Sequence, residues 1–71
     1  MWKLFIEYSD KSKVTLTGKT KEITPEQILR YWMLYGRNAA TAIYQKYPKK
    51  NYEPRDFKEM YKALREESGQ E

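Results

Sequence analysis

Lysines set among aromatic rings are the residues of this sequence best suited to chemistry, and that chemistry is recognition of an anion. Phe5 stands between Lys3 and Glu7, and a following segment supplies Lys13, Thr15, Thr17 and Lys19. Arg37 comes later. The densest basic and aromatic run is Tyr44-Gln45-Lys46-Tyr47-Pro48-Lys49-Lys50-Asn51-Tyr52. Single-stranded nucleic acid is often held by such a combination, with bases stacked on rings while lysines follow the phosphates. Each group also has a structural use. A C-terminal helix could lie over Phe5, the lysines could blunt an exposed strand edge, and Tyr44 and Tyr47 could enter the core. For Phe5 the structural use carries more weight, because one ring is a weak stacking platform. For the run 44–52 neither use outweighs the other.

Bond-making chemistry has little to work with. The 71 residues contain no histidine and no cysteine, which removes the usual general base and the strongest nucleophile. A catalytic site would rest on carboxylates, lysines or tyrosines alone. Four carboxylates precede residue 53, and Glu26 among them is explained by the first turn of a helix, where acids are favoured. Gly18, Gly36 and Gly69 stand apart, so no phosphate loop forms, and no metal-ligand spacing is present. The expectation is a non-enzymatic chain without cofactor or metal.

The elements that must position these residues follow from periodicity. Trp2, Leu4, Ile6 and Tyr8 alternate with Lys3, Phe5 and Glu7, as a strand with one apolar face requires. Ser9-Asp10-Lys11-Ser12 is turn chemistry. Val14 and Leu16 then alternate with Lys13, Thr15, Thr17 and Lys19, completing an antiparallel hairpin. Thr24-Pro25-Glu26-Gln27 is a capping box with proline at the first helical position. Ile23 can staple to Ile28, and Ile28, Tyr31, Trp32 and Tyr35 form the apolar stripe of the helix. That stripe suits a core better than a ligand site, although part of it would serve a dimer interface. Gly36 is placed to cap the end.

Residues 38–47 fit two patterns. Ala39, Ala40, Ile43, Tyr44 and Tyr47 have helical spacing, whereas Thr41, Ile43, Gln45 and Tyr47 alternate with Ala42, Tyr44 and Lys46. A two-stranded hairpin is marginal in water, and its need of a third strand tips the choice to strand. Pro54 opens a last helix, in which Phe57, Met60, Tyr61 and Leu64 recur on one face. Arg55–Glu59 and Lys62–Glu66 are spaced as charge pairs on its outer side.

Composition sets the frame. At this length the chain makes one small domain with a thin core, and the eleven aromatic residues must supply much of it. Residues 1–52 hold ten basic and four acidic side chains, and residues 53–71 four and six. A basic body with a mildly acidic tail favours anionic partners, although lysines that merely keep a domain soluble account for the same counts. No apolar run approaches the ~20 residues of a membrane span, and Glu7 interrupts any leader-like segment. The expected setting is cytoplasmic.

The stretches Trp2-Lys3-Leu4-Phe5-Ile6-Glu7-Tyr8-Ser9-Asp10, Val14-Thr15-Leu16-Thr17-Gly18-Lys19 and Tyr44-Gln45-Lys46-Tyr47-Pro48-Lys49-Lys50 resemble short proteins of mobile elements and plasmids in Gram-positive gut bacteria. The resemblance implies a bacterial, cytoplasmic, element-encoded setting and brings no functional residues. From Gly36 to Gly69 the order of residues is also similar to the helix-turn-helix segment of some transposon-derived proteins. That likeness implies a helix through 38–47.

The expected architecture is a single α+β domain over residues 1–67 with a frayed tail at 68–71. It consists of a hairpin, a helix, a third strand, and a C-terminal helix packed on the inner face of the sheet. The expected function is a non-enzymatic binding module for an anionic partner. Nucleic acid leads as partner, through Phe5, Lys13, Lys19, Arg37, Lys46, Lys49 and Lys50. The alternative is a protein-interaction or inhibitor module, with self-association through aromatic surface as one form of it.

Overall fold

The computed structural model describes residues 1–68. Four strands, β1 (Trp2–Glu7), β2 (Lys13–Gly18), β3 (Thr41–Lys46) and β4 (Arg55–Asp56), join two helices, α1 (Pro25–Leu34) and α2 (Phe57–Ser68). The sheet is antiparallel with the order β2-β1-β3-β4. The α+β class, the third strand and the C-terminal helix on the sheet are therefore as expected. Residues 69–71 of the expected tail lie outside the described residues.

Alternation in β1 is strict. Trp2, Leu4 and Ile6 are buried, while Phe5 and Glu7 on the other side are exposed and Lys3 is half-buried. Register sets Leu4 opposite Leu16 on one flank and Tyr44 on the other, and Ile6 opposite Val14 and Ala42. These residues make the inner face. Trp2, Tyr44 and Phe57 are the largest side chains fully withdrawn from water. At about 150–250 Å² each, such rings contribute at most roughly 4–6 kcal/mol of transfer free energy apiece, an upper bound set by the extended-chain reference. Trp2 lies 5.9 Å from the Tyr44 ring and 6.4 Å from that of Tyr31, centroid to centroid.

The hairpin turn runs Tyr8 to Ser12. The Tyr8 amide donates to the Ser12 carbonyl at 2.9 Å, and the Lys11 amide to the Tyr8 carbonyl at 2.9 Å. Lys11 adopts a left-handed conformation, φ 75°. Asp10 Oδ1 accepts from the Ser12 hydroxyl at 2.6 Å and the Ser12 amide at 3.0 Å. Those two bonds, the hydroxyl first, hold the Asp10 carboxyl below its ordinary value.

Helix α1 begins as its sequence dictates. Thr24 Oγ1 accepts from the Gln27 amide at 3.2 Å and Gln27 Oε1 accepts from the Thr24 amide at 3.1 Å, which closes the capping box. Ile23 and Ile28 both enter the core. The Ile23 amide donates to the Tyr44 hydroxyl oxygen at 3.0 Å, tying the start of α1 to β3. Burial, the leading cause, raises the Tyr44 phenol above its ordinary value. The Trp32 ring stacks on Tyr61 of α2 at 4.3 Å and 10°.

Four details depart from expectation. Gly36 does not cap α1 but opens a short 3-10 turn, Gly36–Asn38. It is buried where a methyl group would press on the Trp32 and Phe57 rings, so close packing, not a left-handed cap, calls for glycine there. Residues 41–46 form β3, which excludes the helix required by the helix-turn-helix likeness. The last helix begins at Phe57 rather than Pro54, because Arg55 and Asp56 first pair with Tyr44 and Ile43. Asp56 then ends that strand and starts the helix, its Oδ1 accepting from the Lys58 amide at 2.9 Å. Among the described residues the ion pair is Lys46–Glu22, and the pairs Arg55–Glu59 and Lys62–Glu66 are not closed. Arg55 precedes the helix, and an exposed pair such as Lys62–Glu66 gains little from closing.

Candidate functional site

Both helices take the inner face of the sheet, and most of the outer face is left to solvent. Phe5 is 39% and Ile43 38% exposed there, directly opposite one another in register, with Thr15 opposite Phe5 on the other flank. The C-terminal helix therefore does not cover Phe5, contrary to the structural use weighed for it. Around the pair, Lys13, Glu7, Thr15 and Thr41 border a shallow depression of about 240 Å³. A ring and a branched aliphatic chain rimmed by threonine hydroxyls, a lysine and a glutamate offer an apolar floor with polar edges. Such a surface can take a flat aromatic ligand, with Lys13 as the cation at its margin and the Glu7 carboxylate opposite it.

One end of this face is covered by the chain itself. Gln45 is 3% exposed although it lies on the outer side, because the segment after β3 folds back over it. Its Nε2 donates to the Tyr52 carbonyl at 3.0 Å and to the Lys46 carbonyl at 2.9 Å. Beside it the Lys3 ammonium lies 5.7 Å from the Tyr47 ring centroid. Tyr44 is core, whereas Tyr47 and Tyr52 are half-buried.

The sequence-predicted cations separate into groups. Lys13 is exposed on the outer face opposite Glu7. Arg37, exposed in the 3-10 turn, lies toward the same end of the sheet, where the Ala40 amide donates to the Glu7 carbonyl at 2.8 Å. Lys19 leaves β2 at the opposite end. Lys49 and Lys50 are exposed there too, just beyond Tyr47, whose amide donates to the Met1 carbonyl at 2.9 Å. Phe5 lies between the two ends, about 17 Å apart along a six-residue strand. Lys46 does not join them. Strand alternation turns it to the inner side, where it bonds Glu22 Oε1 at 2.9 Å and sits 4.5 Å from the Tyr52 ring centroid. The hydrogen bond from Lys46 lowers the Glu22 carboxyl and raises the Lys46 ammonium from their ordinary values.

Ile43 is the site residue that sequence reasoning did not single out. Its signal was present in the alternation that set it with Thr41 and Gln45, away from Tyr44. Among the described residues no group of acidic side chains could hold a metal ion, and no helix is long and apolar enough to cross a membrane. No protein-family model matches the chain, and neither a curated protein nor a solved structure matches it.

Proposed function

We propose that this chain is a non-enzymatic binding module whose open sheet face receives single-stranded nucleic acid. The observation that carries the proposal is the solvent-exposed Phe5–Ile43 pair on a strand-built surface, with lysines at both ends of the sheet. A base stacks on Phe5, Ile43 extends the apolar contact, and the backbone runs from Lys13 toward Lys19, Lys49 and Lys50. Threonines 15, 17 and 41 supply hydroxyls at the margin. Aromatic stacking tolerates any base, so binding has little sequence preference. A cytoplasmic setting accords with this role.

The test is fluorescence anisotropy with single- and double-stranded DNA and RNA across a range of salt. Phosphate neutralisation gives a log–log slope that steepens with the number of lysines engaged. Single strands bind more tightly than duplexes, and affinity falls steeply with salt. Affinity indifferent to salt overturns the reading.

A second reading has an observation of its own. Leu29, Met33 and Leu34 are 44%, 58% and 59% exposed on α1, an apolar surface suited to a protein partner. Salt-insensitive binding to a protein and none to nucleic acid would favour it.

A further inference from the structure

We infer that β2 is a self-pairing edge, through which two copies of this chain join their sheets about a two-fold axis at Thr15. In the order β2-β1-β3-β4, β2 has a strand neighbour on one flank only, whereas the opposite edge is two residues long and runs straight into α2. The phase of the ladder decides what the open flank offers. Antiparallel neighbours alternate between pairs that exchange backbone hydrogen bonds and pairs that do not. The bond from the Tyr8 amide to the Ser12 carbonyl makes 8–12 a bonded pair. In the observed register the bonded pairs are then Ile6–Val14, Leu4–Leu16 and Trp2–Gly18. On the other flank of β1, the bond from the Tyr47 amide to the Met1 carbonyl assigns the odd-numbered residues of β1 to β3, as the same phase demands. The amides and carbonyls of Lys13, Thr15 and Thr17 consequently point away from β1, and among the described residues no strand receives them.

The side chains of this edge are self-complementary in the register that those groups require. A two-fold axis perpendicular to the sheet brings Thr15 opposite the partner's Thr15 as a bonded pair, and Lys13 opposite the partner's Thr17. Every outward amide and carbonyl of the three residues then finds a partner. On the inner side, half-buried Val14 meets the partner's Leu16, and Leu16 the partner's Val14. No like charges face each other, and the two Lys13 ammonium groups stand about 14 Å apart, beyond the screening length in physiological salt. The devices that normally blunt an edge are missing from the middle of β2, which has neither proline nor charge between Lys13 and Gly18. Pairing doubles the four-stranded sheet and leaves its outer faces continuous. One row of opposed residues then runs Ile43, Phe5, Thr15 and on through the partner's Thr15.

Sedimentation equilibrium without nucleic acid tests this inference independently of the proposed ligand. The wild-type chain is expected to dimerise. Thr15→Pro removes an outward amide that β1 does not use, and proline is tolerated on such an edge. The variant is expected to keep the native circular dichroism and to sediment as a monomer. Thr17→Glu, facing the partner's Lys13 twice per dimer, tightens association roughly fivefold, and Thr17→Lys loosens it by a similar factor. A wild-type chain that stays monomeric at its highest soluble concentration overturns the inference. So does a dimer that survives Thr15→Pro and ignores both Thr17 variants, or one that dissociates on Leu29→Lys alone.

Discussion

Trp2 and Gly18 face each other across the first hairpin, and the Trp2 indole occupies the space that any side chain at position 18 would need. The indole is held there by its Nε1, which donates to Thr20 Oγ1 at 3.2 Å, while Thr20 in turn donates to the Glu22 carbonyl at 2.9 Å. One glycine thus seats the largest ring of the core. Gly18→Ala must displace that ring, and overpacking of this kind costs about 1–3 kcal/mol. Urea denaturation of the variant should show a lower midpoint with an unchanged slope.

Lys11 provides the opposite case. Its left-handed backbone, φ 75°, strains a residue with a side chain by about 1–2 kcal/mol, and glycine relieves that strain at some cost in unfolded-chain entropy. Lys11→Gly should stabilise the protein by about 0.5 kcal/mol, read as a rise in the thermal midpoint.

Thr24 caps α1 through the reciprocal bonds with Gln27. Thr24→Ala leaves the Gln27 amide without that acceptor and should destabilise the fold by about 1 kcal/mol. Thr24→Ser keeps the oxygen and should restore most of the loss in the same denaturation experiment.

Acid should weaken the fold through two identified carboxylates. Asp10 and Glu22 both titrate below their ordinary values of 3.8 and 4.5, the first through bonds from Ser12 and the second through Lys46. A lowered folded-state value means that the contribution is complete above the ordinary value and is lost as pH falls through the folded one. Glu22→Gln should therefore flatten the stability profile below about pH 4.5. At the alkaline end Tyr44 titrates above its ordinary value of 10.0 because it is buried. Its contribution is complete below pH 10.0 and is lost as pH rises through the raised value. Tyr44→Phe should remove that alkaline limb while also losing the bond from the Ile23 amide.

Much of this arrangement was legible because it is local. The alternation of Trp2, Leu4 and Ile6 against Lys3, Phe5 and Glu7 fixes a strand with one apolar face. Likewise Thr24-Pro25-Glu26-Gln27 marks a helix start by the bonds its side chains can make. Strand 41–46 was legible only through the needs of the sheet, since its alanines also suit a helix. Strand β4 was not legible, because two residues carry no periodicity and Pro54 supplies a competing helix signal. For the site, alternation set Phe5 on the face away from Trp2. Which layers the helices would cover depends on long-range packing, so its exposure was not readable. Lys46, expected among the binding residues, shares the parity of Tyr44 and so lies on the inner side beside Glu22.

An amide-resolved NMR titration with a short single-stranded pyrimidine oligonucleotide at low salt tests the outer sheet face as the binding surface most directly. Resonances of Phe5, Lys13, Thr15, Thr41 and Ile43 should move together and saturate. Phe5→Ala should abolish the shifts while costing less than about 1 kcal/mol of stability, the scale of a cross-strand pair. Shifts confined to Leu29, Met33 and Leu34 on α1, or none at all, would contradict the assignment of this face.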